Sequence, residues 1–122
     1  MAALNIFVVG HDPFNHAFLS RLPQANFCDF HTALDITDIR HVESLDIPGL
    51  IEKASKRIES FPGPVHGIVS YYDFPATLLA ALLATRFDLP GPSLEAVLKC
   101  ENKYWSRLVQ KECVSEHIPQ FQ

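Results

Sequence analysis

Apolar residues occur along the chain in short runs that alternate with stretches of helical spacing. Residues 4–9 form a nearly continuous apolar run that is rich in β-branched side chains and is closed by Gly10. Such a run is typical of a strand that is buried on both faces of a sheet. We predict a second strand, with a weaker pattern, at residues 25–31, and a third strand at residues 66–70.

Helical spacings separate the predicted strands. After the first strand, Asp12 is predicted to be the N-cap, and Pro13 the first residue, of a short helix that ends before Pro23. A second helix at residues 48–61 is amphipathic, and a Pro-Gly-Pro sequence ends it. A third helix opens at Pro75 and is apolar almost all the way round, which predicts burial on several sides.

The order of these elements predicts the fold class. Alternating strands and helices are typical of a parallel sheet with right-handed crossovers and helices on both faces, so we predict a Rossmann-like α/β fold. We expect strands 4–9 and 66–70 to be adjacent and central. The polar run at residues 35–43 has no periodicity, and we predict no element there. Residues 94–99 and 102–112 are predicted to form two further helices.

Length, composition and charge limit the possible partners. A chain of 122 residues, 48% hydrophobic and 20% charged, is long enough for one core and too short for two. The net charge of −4 disfavours nucleic acid and anionic membranes as partners, because both select for clustered lysine and arginine.

Neither the N-terminus nor the cysteines indicate a secreted protein. The first residues lack the charged and long apolar regions of a secretory signal, and no segment has the length of a membrane span, so we expect a cytoplasmic location. The three cysteines, Cys28, Cys100 and Cys113, contain no C-x-x-C pair and predict neither a disulfide framework nor a zinc site. We expect them to be buried free thiols.

Common cofactor motifs are missing. The turn after the first strand contains one glycine where the dinucleotide fingerprint needs three, which disfavours NAD and FAD. The sequence has no P-loop and no G-x-S-x-G elbow. No two histidines have the i, i+4 spacing of a helical metal site, so we interpret all six as surface or capping residues: His11, His16, His31, His41, His66 and His117.

Polar and aromatic residues follow the first and third predicted strands. Ligands of open parallel sheets bind at the carboxyl ends of the strands, so these residues are the candidate substrate-binding set. A purely structural role is open for each of them, since an aspartate there caps the next helix and a tyrosine there packs. The set comprises His11, Asp12, Phe14, Tyr71, Tyr72 and Asp73.

The segment at residues 89–121 contains an ordered series of weak motifs. A small-residue turn at 90–93 is followed by Asn102 with Lys103, by a helix that bears Arg107, and by an Ile-Pro-x-Phe sequence at 118–121. In this order and spacing the motifs resemble the junction between the pre-ATP-grasp domain and the ATP-grasp domain of carboxylate-amine ligases. The sequence departs from that family at two places. Asn102 replaces an aspartate, and Glu116 and His117 stand before the Ile-Pro pair, where the family often has a glycine.

The resemblance implies a domain organisation and a chemistry. Residues 1–93 would be the Rossmann-like pre-ATP-grasp domain, and residues 94–122 a helical linker with the start of the ATP-grasp module. Lys103 occupies the position of the lysine that reaches the nucleotide phosphates. ATP and magnesium are the implied cofactors, and a carboxylate and an amine the implied substrates, joined through an acyl-phosphate. The other catalytic elements would lie beyond Gln122, so the chain alone is expected to be inactive.

Two other classes of function stay open. A receiver-type regulatory domain would use Asp73 as its phosphoacceptor, but it needs an acidic pair after the first strand and a lysine after a fifth strand. A small-molecule-binding or interaction module without catalysis is also compatible with the pattern. Sequence downstream of residue 122, with a second lysine and metal-binding carboxylates, would favour the ligase.

The C-terminal helices predict an apolar surface. Trp105, Leu108 and Val109 share one side of the helix at 102–112, and a catalytic module would cover that side in a ligase. Without such cover, we expect a homodimer through the C-terminal helices, with the segment after Val114 mobile or exchanged between copies.

Overall fold

The computed structural model describes residues 2–40 and 43–121, and it contains a parallel sheet flanked by helices. Short 3₁₀ turns at Pro23–Phe27 and Ser115–His117 complete the regular structure. The strands and α-helices follow in the order β1 (Leu4–His11), α1 (Pro13–Leu19), β2 (Cys28–Asp35), α2 (Ile36–Ile39), α3 (Ile47–Glu59), β3 (Gly67–Ser70), α4 (Ala76–Arg86), α5 (Leu94–Glu101) and α6 (Lys103–Cys113).

The sheet has the strand order β2-β1-β3, and both pairings are parallel. β1 aligns with β2 from Leu4 opposite Cys28 to His11 opposite Asp35. The three carboxyl ends therefore lie at one edge of the sheet, which we call the carboxyl edge. This arrangement confirms the Rossmann-like α/β fold predicted from the sequence. The expected adjacency of β1 and β3 is also confirmed, but β3 lies at the side of the described sheet rather than in its centre.

The central strand is covered on both faces. Phe7 and Val9 point to one face and Val8 to the other, since side chains alternate along a strand, and all three are buried. On the Phe7 face, residues of β2, α3 and α4 complete the main hydrophobic cluster, which includes Leu34, Ala54, Ile58, Leu79 and Leu83. The nearly continuous apolar run of β1 is thus explained by burial on both sides.

Helix α4 confirms the prediction made from its nearly uniform apolar sequence. Six of its residues are buried, and it packs against β1, β3, α3 and α5. Alanines fill many of the contact positions, and small side chains allow other elements to approach a helix from several directions. The predicted helices at 94–99 and 102–112 are also present as α5 and α6, with Ser93 and Asn102 as their N-caps.

Two predictions around the second strand were wrong. Residues 23–27 form a 3₁₀ turn that begins at Pro23, so β2 starts three residues later than predicted and extends to Asp35. The polar run after it contains α2, which has a capping box between Asp35 and Asp38. The sequence signal for this helix was an aspartate followed three residues later by another acidic side chain, which is the spacing of a capping box.

The prediction that the cysteines are buried was also wrong. All three thiols are free, but Cys100 and Cys113 are exposed and Cys28 is half-buried. Cys100 and Cys113 lie near the ends of α5 and α6, outside the main cluster. Within residues 2–40 and 43–121, every helix is too short or too polar to cross a membrane.

Candidate functional site

The turn from β1 into α1 places several of the candidate residues at the carboxyl edge. Gly10, the penultimate residue of β1, has a φ of 76°. A Cβ atom there would lie 2.9 Å from Ile39 Cδ1 and 3.2 Å from Tyr72 Cδ2. The positive φ and the close approach of both side chains require glycine at this position.

Asp12 is the centre of a hydrogen-bond network that joins β1 to the loop after β3. Its Oδ1 atom accepts from the backbone N–H of Asn15 at 2.9 Å, which makes Asp12 the N-cap of α1 as predicted. Its Oδ2 atom accepts from Asn15 Nδ2 at 2.9 Å and from the Tyr72 hydroxyl at 3.0 Å. Asn15 Nδ2 also lies 2.8 Å from the Tyr72 hydroxyl.

The environment of Asp12 favours its ionised form. Burial alone would raise the pKa of this carboxyl, but the hydrogen bonds from Asn15 and Tyr72 outweigh burial and hold the pKa below its usual value. Burial and the bond to Asp12 raise the pKa of Tyr72, and burial raises that of Tyr71. Asp12 is therefore a buried carboxylate whose two oxygens are both engaged, and it orders the β1–α1 turn.

Two members of the candidate set, Phe14 and Asp73, lie outside this network. The side chain of Phe14 is 71% exposed. Asp73 is exposed, and its backbone carbonyl accepts from Ala76 N–H at 2.8 Å, while the N-cap of α4 is Pro75. Tyr71 lies at the margin of the network, where its hydroxyl accepts from the Asp12 backbone N–H at 3.4 Å. The structure thus groups Asp12 with the two tyrosines and leaves Phe14 and Asp73 at the surface.

A second chain of polar contacts runs from His11 along α1. His11 Nδ1 lies 2.6 Å from Thr32 Oγ1, and His11 Nε2 lies 3.0 Å from His16 Nδ1. His16 Nε2 in turn lies 3.3 Å from Ser20 Oγ. The sequence interpretation of these two histidines as separate surface or capping residues missed this contact.

The surroundings of His11 favour the neutral form of its imidazole. Burial, and secondly the neighbouring His16, lower the pKa of His11 below its usual value, while Asp12 and Asp35 act in the opposite direction. A hydrogen bond from the Thr37 N–H is the main cause that lowers the pKa of Asp35. A depression of about 320 Å³ opens here, lined by His11, Asp12, Pro13, His16, Thr32 and Asp35.

The other histidines have different roles. His31 Nε2 contacts Asn5 Oδ1 at 2.9 Å, and His66 Nδ1 accepts from the Asn5 backbone N–H at 2.9 Å. His117 is exposed in the C-terminal 3₁₀ turn. The interpretation of His41 concerns a residue outside the described ranges.

Lys103 lies apart from the carboxyl-edge network, in the first turn of α6. Its side chain is exposed and borders a cavity of about 550 Å³, the lining of which includes Cys100, Lys103, Tyr104, Arg107, Gln110 and Phe121. Arg107 Nη1 donates to Gln110 Oε1 at 2.6 Å, which orients the guanidinium. Two cationic side chains therefore line one cavity.

A contact between α4 and α5 fixes the position of this cavity. The Thr77 hydroxyl, in the first turn of α4, donates to Glu101 Oε1 at the end of α5. The other carboxylate oxygen of Glu101 is buried and has no hydrogen-bond partner among the described residues. Since α4 is the next element after β3 and its first turn contacts Glu101, the junction of α5 and α6 lies beside the carboxyl edge.

Within the described part of the chain, no group of three or more His, Cys, Asp or Glu side chains could hold a metal ion. Compared with known proteins, the chain matches no family model, and no curated protein and no solved structure shows significant similarity to it.

Proposed function

We propose that this chain is the N-terminal domain of an ATP-dependent ligase of the ATP-grasp superfamily, which joins a carboxylate to an amine. The observation that supports this most is the cavity at the start of α6, where the exposed Lys103 and the oriented Arg107 lie together. Paired cations at a cavity favour an anionic group, such as a phosphate of a nucleotide. These side chains belong to the segment that resembles the family's domain junction.

The position of the cavity is compatible with a shared active site. The Thr77–Glu101 contact holds the α5–α6 junction beside the carboxyl edge, where open parallel sheets bind their ligands. A nucleotide near Lys103 and a small substrate near His11 and Asp12 would then lie on the same side of the domain. In this proposal the Asp12 network with Tyr71 and Tyr72 orders the substrate-facing turn, and Phe14 and Asp73 are free to contact the substrate.

The chemistry proposed for the whole ligase is transfer of a phosphoryl group from ATP to the carboxylate, followed by displacement of phosphate by the amine. Magnesium would neutralise charge on the phosphates, and the family resemblance implies that its carboxylate ligands come from the ATP-grasp module. This chain would supply Lys103 and the turn that faces the substrate. The reaction would take place in the cytoplasm, where ATP is available.

The test compares two lysines of α6 in the complete protein that carries this chain. Replacing Lys103 by alanine should weaken ATP binding at least tenfold in a calorimetric titration, because one phosphate contact is lost. Lys111→Ala, at the other end of the same helix, should leave the affinity unchanged. In the 122-residue chain alone, ATP with magnesium should bind more weakly than micromolar, since exposed cations contribute little against solvent and salt.

Circular dichroism first establishes that both variants are folded. Equal ATP affinities for the Lys103 and Lys111 variants would contradict the role given to Lys103. Micromolar binding of ATP by the 122-residue chain would contradict its dependence on a second module.

A further inference from the structure

The contact between His11 and His16 has the dimensions of a pair of metal ligands. Their facing nitrogens, His11 Nε2 and His16 Nδ1, are 3.0 Å apart. Two imidazole nitrogens at about 2.0–2.1 Å from one metal ion lie about 2.9 Å apart when they meet at a right angle, and about 3.4 Å apart at a tetrahedral angle. The observed spacing corresponds to the right-angle arrangement, which is typical of Cu²⁺ and Ni²⁺ rather than Zn²⁺.

The outer nitrogens of the same two rings are held by hydroxyl groups. Thr32 Oγ1 lies 2.6 Å from His11 Nδ1, and Ser20 Oγ lies 3.3 Å from His16 Nε2. When each outer nitrogen donates its proton to the hydroxyl oxygen, both facing nitrogens carry lone pairs. Histidine ligands of metals are commonly oriented in this way, by donation from the other ring nitrogen to a second acceptor.

The electrostatic surroundings favour a cation. The rings border the depression of about 320 Å³, which gives room for water ligands. The carboxyl groups of Asp12 and Asp35 line the same depression. Oδ1 of Asp35 accepts from Thr37, whereas its Oδ2 accepts no hydrogen bond from the described residues.

From this geometry we infer that His11 and His16 form a two-histidine site for a divalent transition-metal ion, with water completing the coordination. The site lies on β1 and α1, apart from Lys103 and Arg107 on α6, and it shares His11 with the place proposed for the small substrate. The inference rests on three observations. These are the 3.0 Å distance between the facing nitrogens, the hydroxyl contacts of the outer nitrogens, and the two carboxyl groups nearby.

The test uses one variant for each histidine, which keeps the outer hydrogen bond and removes the facing nitrogen. His11→Asn retains a polar group near the position of Nδ1, and His16→Gln retains one near the position of Nε2. The background carries Cys100→Ser and Cys113→Ser, because exposed thiols bind and reduce copper. The control is His117→Gln, which removes an exposed histidine far along the chain.

Calorimetric titration with Ni²⁺ should give one site per chain, and each of His11→Asn and His16→Gln should weaken binding at least tenfold. Electron paramagnetic resonance of the Cu²⁺ complex should show coupling to two nitrogens, reduced to one in either variant. The control should bind both ions as the background protein does.

Three outcomes would overturn the inference, provided that circular dichroism shows folded variants. Absence of binding would mean that the two rings form only a hydrogen bond. Binding that is unchanged in both variants, or that is lost in the His117→Gln control, would place the metal elsewhere.

Discussion

Helices α4 and α6 have the same length but opposite relations to the rest of the domain. α4 is apolar all round and buries six residues between the sheet and two other helices. α6 is amphipathic, buries none, and packs against α5 and the C-terminal 3₁₀ turn. On its apolar side Trp105 is 37% and Leu108 40% exposed. Helix α4 is thus covered within this chain, whereas the apolar side of α6 is only partly covered.

The difference separates the residues that hold the fold from those available for a partner. Burial of apolar area stabilises the folded domain, and removal of a buried side chain leaves a cavity. An exposed apolar side on a charged helix instead marks a surface for another protein or module. The position of Lys103 and Arg107 on this helix is the reason why we associate it with a catalytic module.

The largest effect is expected from leucine substitutions in the two helices. Leu79→Ala in α4 should lower the free energy of unfolding by about 2–5 kcal/mol, because a fully buried side chain is removed from the main cluster. Leu108→Ala in α6 should cost less than about 1 kcal/mol, since that side chain is partly exposed. Urea unfolding measures both, and equal losses would contradict the contrast between the helices.

An intermediate effect is expected at the carboxyl edge. Asp12→Asn places an amide N–H₂ against the donors Asn15 and Tyr72. It should lower the free energy of unfolding by about 1–3 kcal/mol. Because its pKa is lowered in the folded state, the stabilisation from Asp12 should be complete above about pH 3.9 and be lost as the pH falls through the folded pKa. Asp73→Asn, at an exposed position, should change stability by less than about 0.5 kcal/mol.

The smallest change in stability, but a change in assembly, is expected at the apolar side of α6. We expect the 122-residue chain to self-associate through this surface, since it lacks other cover. In analytical ultracentrifugation over a range of concentrations, Trp105→Ala with Leu108→Ser should remain monomeric while the unaltered chain forms dimers. A chain that is monomeric at every concentration would contradict the prediction.

The fold was predictable because its main elements have strong local patterns. The apolar run of β1, the Asp-Pro start of α1 and the apolar helix α4 each follow from side-chain periodicity and capping. β2 was placed too early, because Phe27, Cys28 and Phe30 suggested a strand from residue 25, where a 3₁₀ turn that begins at Pro23 instead continues to Phe27. That shift concealed Thr32 and Asp35 at the carboxyl edge.

The candidate site was only partly predictable for a related reason. Sequence reasoning identified Asp12 and Tyr72 from their places after strands, but it gave no means to find their bond or the part played by Asn15. His11 and His16 lie on a strand and a helix, so no single periodic spacing relates them. Contacts between different elements depend on how the chain turns, which the local pattern does not encode.

The most direct test of the proposed ligase is the fate of the carboxylate oxygen. The complete protein is supplied with ATP, magnesium, amines and carboxylates labelled with ¹⁸O, and the released phosphate is analysed by mass spectrometry. Formation of an acyl-phosphate predicts ADP as the nucleotide product and one ¹⁸O atom in each phosphate released with the amide. Release of AMP and pyrophosphate, or amide formation with unlabelled phosphate, would contradict the account.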